Sequence, residues 1–570
     1  MADEPTAESR PRWWELEGLS IAAEIQWFCE AGLEFTLDND LFARAEVVRF
    51  DGELRLGEQR VCAWVAYPPA YGAGGHPEVM APGLLLGRHK TKEGLLCLDH
   101  AVFGRTSPMY GAEAVERAER LWDLWVNDPA QLEIEEADVP DPHAEHYSYF
   151  TESNITLFDV DVGGADCGYF RLQADSLYPL RAVVTQVRVT HPRPALEDAG
   201  QASRELAGVM EINGPWRRVA EPPPHELSEL SAWLESEEGP FLHAALRHGQ
   251  QVACEQAFAA LPVVFALVYE DDGPAGERHD AWLFVCCNLE NGSMQLARAS
   301  PVRKSDHWLR QPHLAPLGHK NVAVVGVGAL GSGIADLLAK AGVGQMLLVD
   351  LDRVTHGNRI RHQLDLADAG REKTKALARR VRRVHPWCEV LTIEFPVGHG
   401  AGGMPEAVAM DDLICDQLGK VDLIVNATAN WVAGSYLSSI AVAGAWGGRV
   451  LLQRPRLSGC WDCLALAQED PEAYDGDVQV PAEHSDPNAQ QVAERGCADP
   501  TFTGPGFELA HAAAVAARVV VQALLVGEGG YPPPDFDLTT MHFRDEASAR
   551  PSAEYTTLPP HPSCTTCRAA

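Results

Sequence analysis

Positive charge is what this chain most lacks. Its 570 residues carry 46 Lys and Arg against 81 Asp and Glu, a formal net charge of −35. A polyanionic backbone repels such a surface unless a local basic patch exists, which argues against a general nucleic-acid binder, and an anionic membrane surface is disfavoured for the same reason. Nor is there a leader signal: Met1-Ala-Asp-Glu-Pro-Thr-Ala-Glu places acids where a secretory leader needs basic residues and then an apolar run. Long apolar runs are missing too. The best, Ala512 to Val526, is broken by Arg518 and Gln522 and is shorter than the ~20 residues of a membrane-spanning helix. The 14 cysteines are too few for a disulfide scaffold at this length. The expectation is a cytoplasmic protein with neither nucleic acid nor membrane as partner.

What remains is an ordinary globular composition, 46% hydrophobic and 8% aromatic. At ~150 residues per domain the length suggests three or four domains. Residues 1–150 read as mixed α/β. Leu19 to Gly32 has helical periodicity, Ala45-Glu-Val-Val-Arg-Phe and Arg60 to Tyr67 read as strands, and Ala112 to Val126 reads as a helix. Residues 151–310 are less legible. Val263 to Tyr269 and Ala281 to Leu289 suggest a hairpin, and Pro222-Pro-Pro a linker. From Lys320 on, strands alternate with helices: Asn321 to Val325, Leu330 to Ala341, Gln345 to Asp350, Lys373 to Val384, Val421 to Val425. That alternation predicts βαβ units on a parallel sheet over residues 311–570.

Gly326-Val-Gly328-Ala-Leu-Gly331 follows the first of these strands and opens a helix. Glycines there permit a tight turn and bring a phosphate to the helix N-terminus. Asp350 ends the next strand, where a carboxylate accepts ribose hydroxyls. These features alone equally fit an NAD-dependent oxidoreductase. The following residues shift the balance: Asp352, Asn358 and Arg361, and then Lys373 in Ala369-Gly370-Arg-Glu-Lys373-Thr-Lys375. Two cations and an amide suit a triphosphate under attack at its α-phosphate, where negative charge develops. The plain alternative makes Arg361 and Lys373 solvated surface charges.

These motifs, in this order, resemble the adenylating domain of ubiquitin-activating and ThiF/MoeB-type enzymes, over about Leu314 to Val526. The resemblance implies a Rossmann-like fold in which ATP is held at Gly326, Gly328 and Gly331. Asp350 would take the ribose, with Asp352 beside it, and Asn358, Arg361 and Lys373 the phosphates. It implies an acyl-adenylate on the C-terminal glycine of a ubiquitin-like protein, and a homodimer with Arg303 or Arg310 acting across its interface. One departure concerns Mg²⁺. Where the family has Thr-Asp-Asn, this chain has Asn426-Ala-Thr428-Ala429-Asn430. Ala429 offers no ligand atom, which leaves Asp352 and Asp422 as substitutes.

Cys460-Trp-Asp-Cys463 and Cys564-Thr-Thr-Cys567 are two C-x-x-C pairs. Together they suit a tetrahedral Cys₄ Zn²⁺ site; a redox dithiol is the rival reading. Cys497 lies in Arg495-Gly-Cys-Ala-Asp-Pro-Thr-Phe, either a small buried side chain or a nucleophile. The resemblance favours the nucleophile, because bacterial activating enzymes carry a Gly-Cys-x-Asp-Pro loop there. Tyr67-Pro-Pro-Ala-Tyr71, His76-Pro77-Glu-Val79 and Gly94-Leu-Leu-Cys97-Leu-Asp resemble a ubiquitin-conjugating domain over about Ser20 to Val126. This makes Cys97 a thioester acceptor rather than a core residue. The family's His-Pro-Asn is Arg88-His89-Lys90 here.

The whole reads as an α/β multidomain chain. A ubiquitin-conjugating-like α+β domain (1–150), a β-containing middle segment (151–310) and a ThiF-type adenylating domain with a Cys₄ zinc site (311–570) follow one another. The layout resembles fused proteins of bacterial ubiquitin-like operons, among them CBASS anti-phage operons that tether a cGAS-like cyclase. The partners implied are a ubiquitin-like modifier or the cyclase's C-terminal tail, and an amine on a target protein. Sulfur-carrier activation of the ThiF/MoeB kind is the alternative within the family.

Overall fold

The computed structural model describes, apart from short gaps, residues 12–128, 153–256, 262–397, 405–470 and 492–569. Residues 1–11, 85–93, 99–108, 129–152, 199–209 and 471–491 lie outside the described set, as do Cys97, 429–432 and 494–499.

The first sheet is built around a helix–meander–helix unit. Helix α1 (Ile21–Glu30) starts at Ser20, whose Oγ accepts the Ala23 N–H. Then come β1 (Thr36–Leu37), α2 (Asn39–Ala45), β2 (Arg49–Leu56), β3 (Gln59–Ala66) and β4 (Glu78–Met80), antiparallel in sequential order, and finally α3 (Gly111–Asn127). The strand expected from Ala45 begins only at Arg49. Asp38 caps α2 by accepting the Leu41 N–H, and Glu46 ends that helix in the left-handed region at φ 53°. Phe28, Phe50, Val65, Tyr67 and Val115 meet in the core between sheet and helices. Glu24 is buried with them. Its carboxylate accepts the Tyr67 hydroxyl at 2.6 Å, the Tyr71 hydroxyl at 2.5 Å and the Gly111 N–H at 3.0 Å.

The second sheet closes into a ring. Its strands are β5 (Asn154–Phe158), β6 (Cys167–Leu177), β7 (Leu180–Val189), β8 (Leu196–Asp198) and β9 (Met210–Arg218). After α4 (Leu227–Ser236) and α5 (Gly239–Gln256) come β10 (Val263–Asp272), β11 (Arg278–Cys287) and β12 (Met294–Val302). Strand β5 pairs with β12 on one side, Asn154 opposite Arg298, and with β7 on the other, Asn154 opposite Arg181. Seven strands thus form a closed barrel, and β8 hangs from the far end of β7. Phe170, Trp216, Trp282, Phe284 and Cys286 pack inside it. Alternate residues of β10 and β11, such as Phe265, Leu267, Val285 and Cys287, point outward onto Leu230, Leu234 and Leu242 of the helix pair. The expected hairpin is β10–β11. The Pro222-Pro-Pro segment is a local linker, joining β9 to α4 within this unit. Gly214 lets the barrel wall close, since a Cβ there would lie 2.0 Å from the Val264 carbonyl oxygen.

The third sheet has the order β15-β14-β13-β16-β17-β18-β21-β22. In chain order its elements are β13 (Asn321–Val325), α6 (Ala329–Ala341), β14 (Gln345–Val349), α7 (Lys373–Val384), β15 (Glu389–Ile393), α8 (Pro405–Leu418), β16 (Leu423–Asn426), β17 (Ala443–Trp446) and β18 (Arg449–Leu452). They continue with α9 (Trp461–Glu469), the short pair β19 (Val492–Ala493) and β20 (Pro500–Thr501), α10 (Gly506–Leu524), β21 (Leu538–His542), β22 (Ser552–Thr556) and α11 (Thr565–Ala569). The first five strands of the sheet are parallel and the last three antiparallel. Helix α10 is, among the described residues, the one helix long and apolar enough to cross a membrane. It lies in the core instead, against α6, with Ala513 facing Gly333 so closely that a Cβ on that glycine would sit 2.9 Å away.

Candidate nucleotide site and metal centre

The glycine turn leaves the carboxyl end of β13, the end of a parallel strand where open α/β sheets hold ligands. Gly326 has φ +81°, and a Cβ there would lie 2.6 Å from the Thr428 backbone. At Gly331 a Cβ would meet the Gly326 carbonyl oxygen at 1.9 Å. Both positions therefore require glycine. Gly328 differs: no atom lies within 4 Å of where its Cβ would be, so open space stands over the N-terminus of α6. That cradle, at the positive end of a helix, fits a phosphate.

Acids and cations gather at the same end. Asp350 follows β14 and its Oδ2 accepts the Val327 N–H, while Oδ1 accepts the Asp352 N–H, both at 2.8 Å. Each oxygen keeps a lone pair for a further donor such as a ribose hydroxyl. A short bridge between Arg353 and Glu372 folds the start of α7 back onto this segment. Lys373, only 8% exposed, consequently reaches the Asp352 carboxylate at 2.7 Å. Asn358 opens a one-turn 3₁₀ segment and its Oδ1 accepts the Thr355 N–H at 2.8 Å; Arg361, half-buried, ends the turn. The structure thus brings Gly326, Gly328, Gly331, Asp350, Asp352, Asn358, Arg361 and Lys373 into one region.

Asp422 does not join them. Its carboxylate accepts the backbone N–H of Asn321, the first residue of β13, at 2.7 Å. That is the opposite end of the strand from Gly326, on the order of 15 Å away for five residues at ~3.3 Å each. The expectation of Asp422 as a substitute metal ligand is corrected accordingly. At the near end, Asn426 Oδ1 accepts the Thr428 N–H and hydroxyl, and Ala429 lies outside the described residues. Cys97, Cys497 and Arg310 also lie outside them. Arg303 is half-buried between β12 and the next turn.

The paired cysteines converge. Cys460 precedes α9, Cys463 lies in its first turn, and Cys564 and Cys567 come from the chain around α11. Sγ–Sγ separations are 3.8 Å for Cys460–Cys463, 3.6 Å for Cys460–Cys564 and 3.5 Å for Cys463–Cys567, and all four sulfurs lie within 4.8 Å of one another. Four thiolates at ~2.3 Å from a tetrahedral ion sit ~3.8 Å apart, so the set fits a metal. The His561 N–H donates to Cys463 Sγ at 3.2 Å and the Cys567 N–H to Cys564 Sγ at 3.5 Å. The Cys463 thiol is pulled down to about 5, first by the Cys460 thiol beside it and then by that His561 N–H, against the effect of burial. Behind the cluster Arg454 grips buried Asp537, whose second oxygen takes the Leu558 N–H at 3.0 Å.

Two features went unforeseen in the sequence. The Arg454–Asp537 brace joins residues too far apart for any local pattern to betray it. His362, buried beneath the glycine turn, is one histidine in a polar stretch with no spacing signal of its own.

The comparisons agree with this geometry. Residues 307–566 match the family model described as the ThiF family. The chain is 27% identical to the uncharacterized protein y4qC of Sinorhizobium fredii, over 88% of this chain and 89% of that one. It is 31% identical to the ATP-dependent ubiquitin transferase-like protein Cap2 of Pseudomonas aeruginosa, over 29% of this chain and 31% of that protein. To the ubiquitin-like modifier-activating enzyme 5 of Aedes aegypti it is 28% identical, over 25% and 39% respectively. The match to the ThiF family thus spans residues 307–566, somewhat less than half of this chain.

Proposed function

We propose that this chain activates the C-terminal carboxylate of a ubiquitin-like protein, or of a protein tail of that kind, by ATP-dependent adenylation and passes it on as a thioester. The observation that carries the reading is the meeting of the glycine cradle, Asp350 and the Lys373 ammonium at one end of a parallel sheet. The substrate carboxylate attacks the α-phosphorus of ATP, the bond to the bridging oxygen breaks and pyrophosphate leaves. Arg361 and Lys373 offset the charge that develops there, and bound Mg²⁺ would neutralise further charge, with Asp352 the carboxylate at hand.

The Cys497 thiolate then attacks the acyl carbon and expels AMP. Cys97 takes the acyl group by thiol exchange, and an amine on a target protein displaces Cys97, loses a proton and forms the amide. Exchange between like thiols is near isoenergetic, so ATP cleavage supplies the drive. In this reading residues 1–150 are the conjugating unit, 151–310 a spacer of barrel form and 311–570 the adenylating unit. The four cysteines hold Zn²⁺, two chains pair with Arg303 or Arg310 crossing the interface, and the protein works in the cytoplasm in bacterial anti-phage defence. The names of Cap2 and of the modifier-activating enzyme support it.

Pyrophosphate exchange into ATP, dependent on the modifier, tests the first step. Non-reducing gels of the wild type, Cys497→Ala and Cys97→Ala test the rest. The expected result is a thiol-sensitive adduct that Cys497→Ala abolishes and that Cys97→Ala leaves stalled before conjugation. Full product from Cys97→Ala points to sulfur-carrier activation, and tight NAD binding without exchange points to an oxidoreductase.

A further inference from the structure

His362 is 8% exposed. Its Nδ1 accepts the Leu364 N–H at 3.2 Å, which leaves the proton on Nε2, and Nε2–H donates to the Val327 carbonyl oxygen at 2.6 Å. Val327 is the central residue of the glycine turn, and its N–H is already fixed by Asp350. Both backbone groups of one residue are therefore held, from two different segments. A trans peptide sets its N–H opposite its C=O, so fixing the Val327 carbonyl also fixes where the Gly328 N–H points. That N–H belongs to the N-cap residue of α6, whose Cβ position faces open space. The segment carrying His362 is itself joined to α6 by the Gln363 N–H on Ser332 Oγ and held internally by the His362 N–H on the Asn358 carbonyl.

We propose that His362 is a positioning residue for the nucleotide: it aims the Gly326–Gly331 backbone and locks that turn to the segment carrying Asn358 and Arg361. The proposal rests on the reading of this turn as the ATP site. The role needs the neutral imidazole, because a second proton on Nδ1 would face the Leu364 N–H. Burial first, then the nearby charges of Lys373 and Arg380, hold the imidazole down at about 4 against the opposing pull of the Val327 bond. It therefore stays neutral at physiological pH.

Two readouts on the full chain test this and separate its failure from that of the ATP reading. The first is amide hydrogen exchange of residues 326–331 in nucleotide-free protein, and the second is calorimetric titration with ATP and Mg²⁺. His362→Ala should speed exchange in that turn and weaken ATP binding, each about tenfold, the effect of one lost buried hydrogen bond. His362→Gln, whose amide supplies both a donor for Val327 and an acceptor for Leu364, should recover most of both. If the alanine variant does not fold, His362→Phe, of similar bulk and without an N–H, takes its place. Exchange in the turn within about twofold of the wild type in the alanine or phenylalanine variant would overturn the proposal. So would loosening spread equally over the whole domain in both the alanine and glutamine variants. Failure of the wild type to bind ATP would instead defeat the ATP reading, while the exchange data still judged His362.

Discussion

Glu24, His362 and His385 are buried ionisable side chains handled in two ways. Glu24 is surrounded by donors, two tyrosine hydroxyls and the N–H of Gly111, and Gly111 leaves room for Tyr67 because a Cβ there would collide with its hydroxyl. That cluster fastens α1, the Tyr67–Tyr71 loop and the start of α3 to one point. The imidazoles have no such set of acceptors. Burial holds His362 down at about 4, and holds His385 down at about 3 with help from the charges of His307 and Lys304. Unfolded, each takes its proton near 6.5. Between these values the unfolded chain binds more protons than the folded one, so stability rises with pH there. The contribution is whole above 6.5 and is lost as pH falls through 6.5 toward about 4 and 3. Urea midpoints of the wild type and His385→Gln between pH 7.5 and 5 check this. The variant's midpoint should fall less steeply with acidity, and parallel slopes would contradict it.

Elements differed in how far the sequence disclosed them. The parallel strands of the third sheet were legible because each is a buried apolar run, and the glycine turn because backbone sterics leave it no other residue. The candidate nucleotide site was legible for the same reason, its residues being local to two βα connections. The barrel was not. Each of its strands looks like an ordinary half-buried strand, and the pairing of β5 with β12 depends on residues far apart in the chain. The cysteine pairs were readable by spacing, but what they fasten was not: the stretch around α11 is held to α9, whose Trp461 and Leu464 pack with Leu558 and Leu538. Cys564→Ser should therefore do more than lose one ligand. It should lower bound metal from about one ion per chain to well below that, as expected for a four-ligand site. It should also open the segment after Leu558 to limited proteolysis while the glycine turn stays protected. Full metal content in that variant, measured by elemental analysis, would refute the four-cysteine site.

At the scale of the whole molecule, the surplus of acid is set against a few cations. Lys373, buried, and Arg361, half-buried, stand at the candidate nucleotide end of the third sheet, in a chain whose net charge is −35. In the proposed reading such a field would draw in a modifier with a basic face and speed encounter in a salt-dependent way. Stopped-flow association of the modifier should slow by about tenfold or more from low to high salt, and a salt-independent rate would remove electrostatics from recognition. The closed barrel bears on how the molecule is made. Strand β5 finds β7 early, yet its other edge waits for β12, which a ribosome delivers roughly 7–30 s later at ~5–20 residues per second. During that interval the nascent chain presents an open β edge to its surroundings. The N-terminal meander is already complete by then and the third sheet has not begun. Translation of the stretch from β7 up to residue 302, where the ring shuts, is thus the stage at which this polypeptide most needs a chaperone's protection.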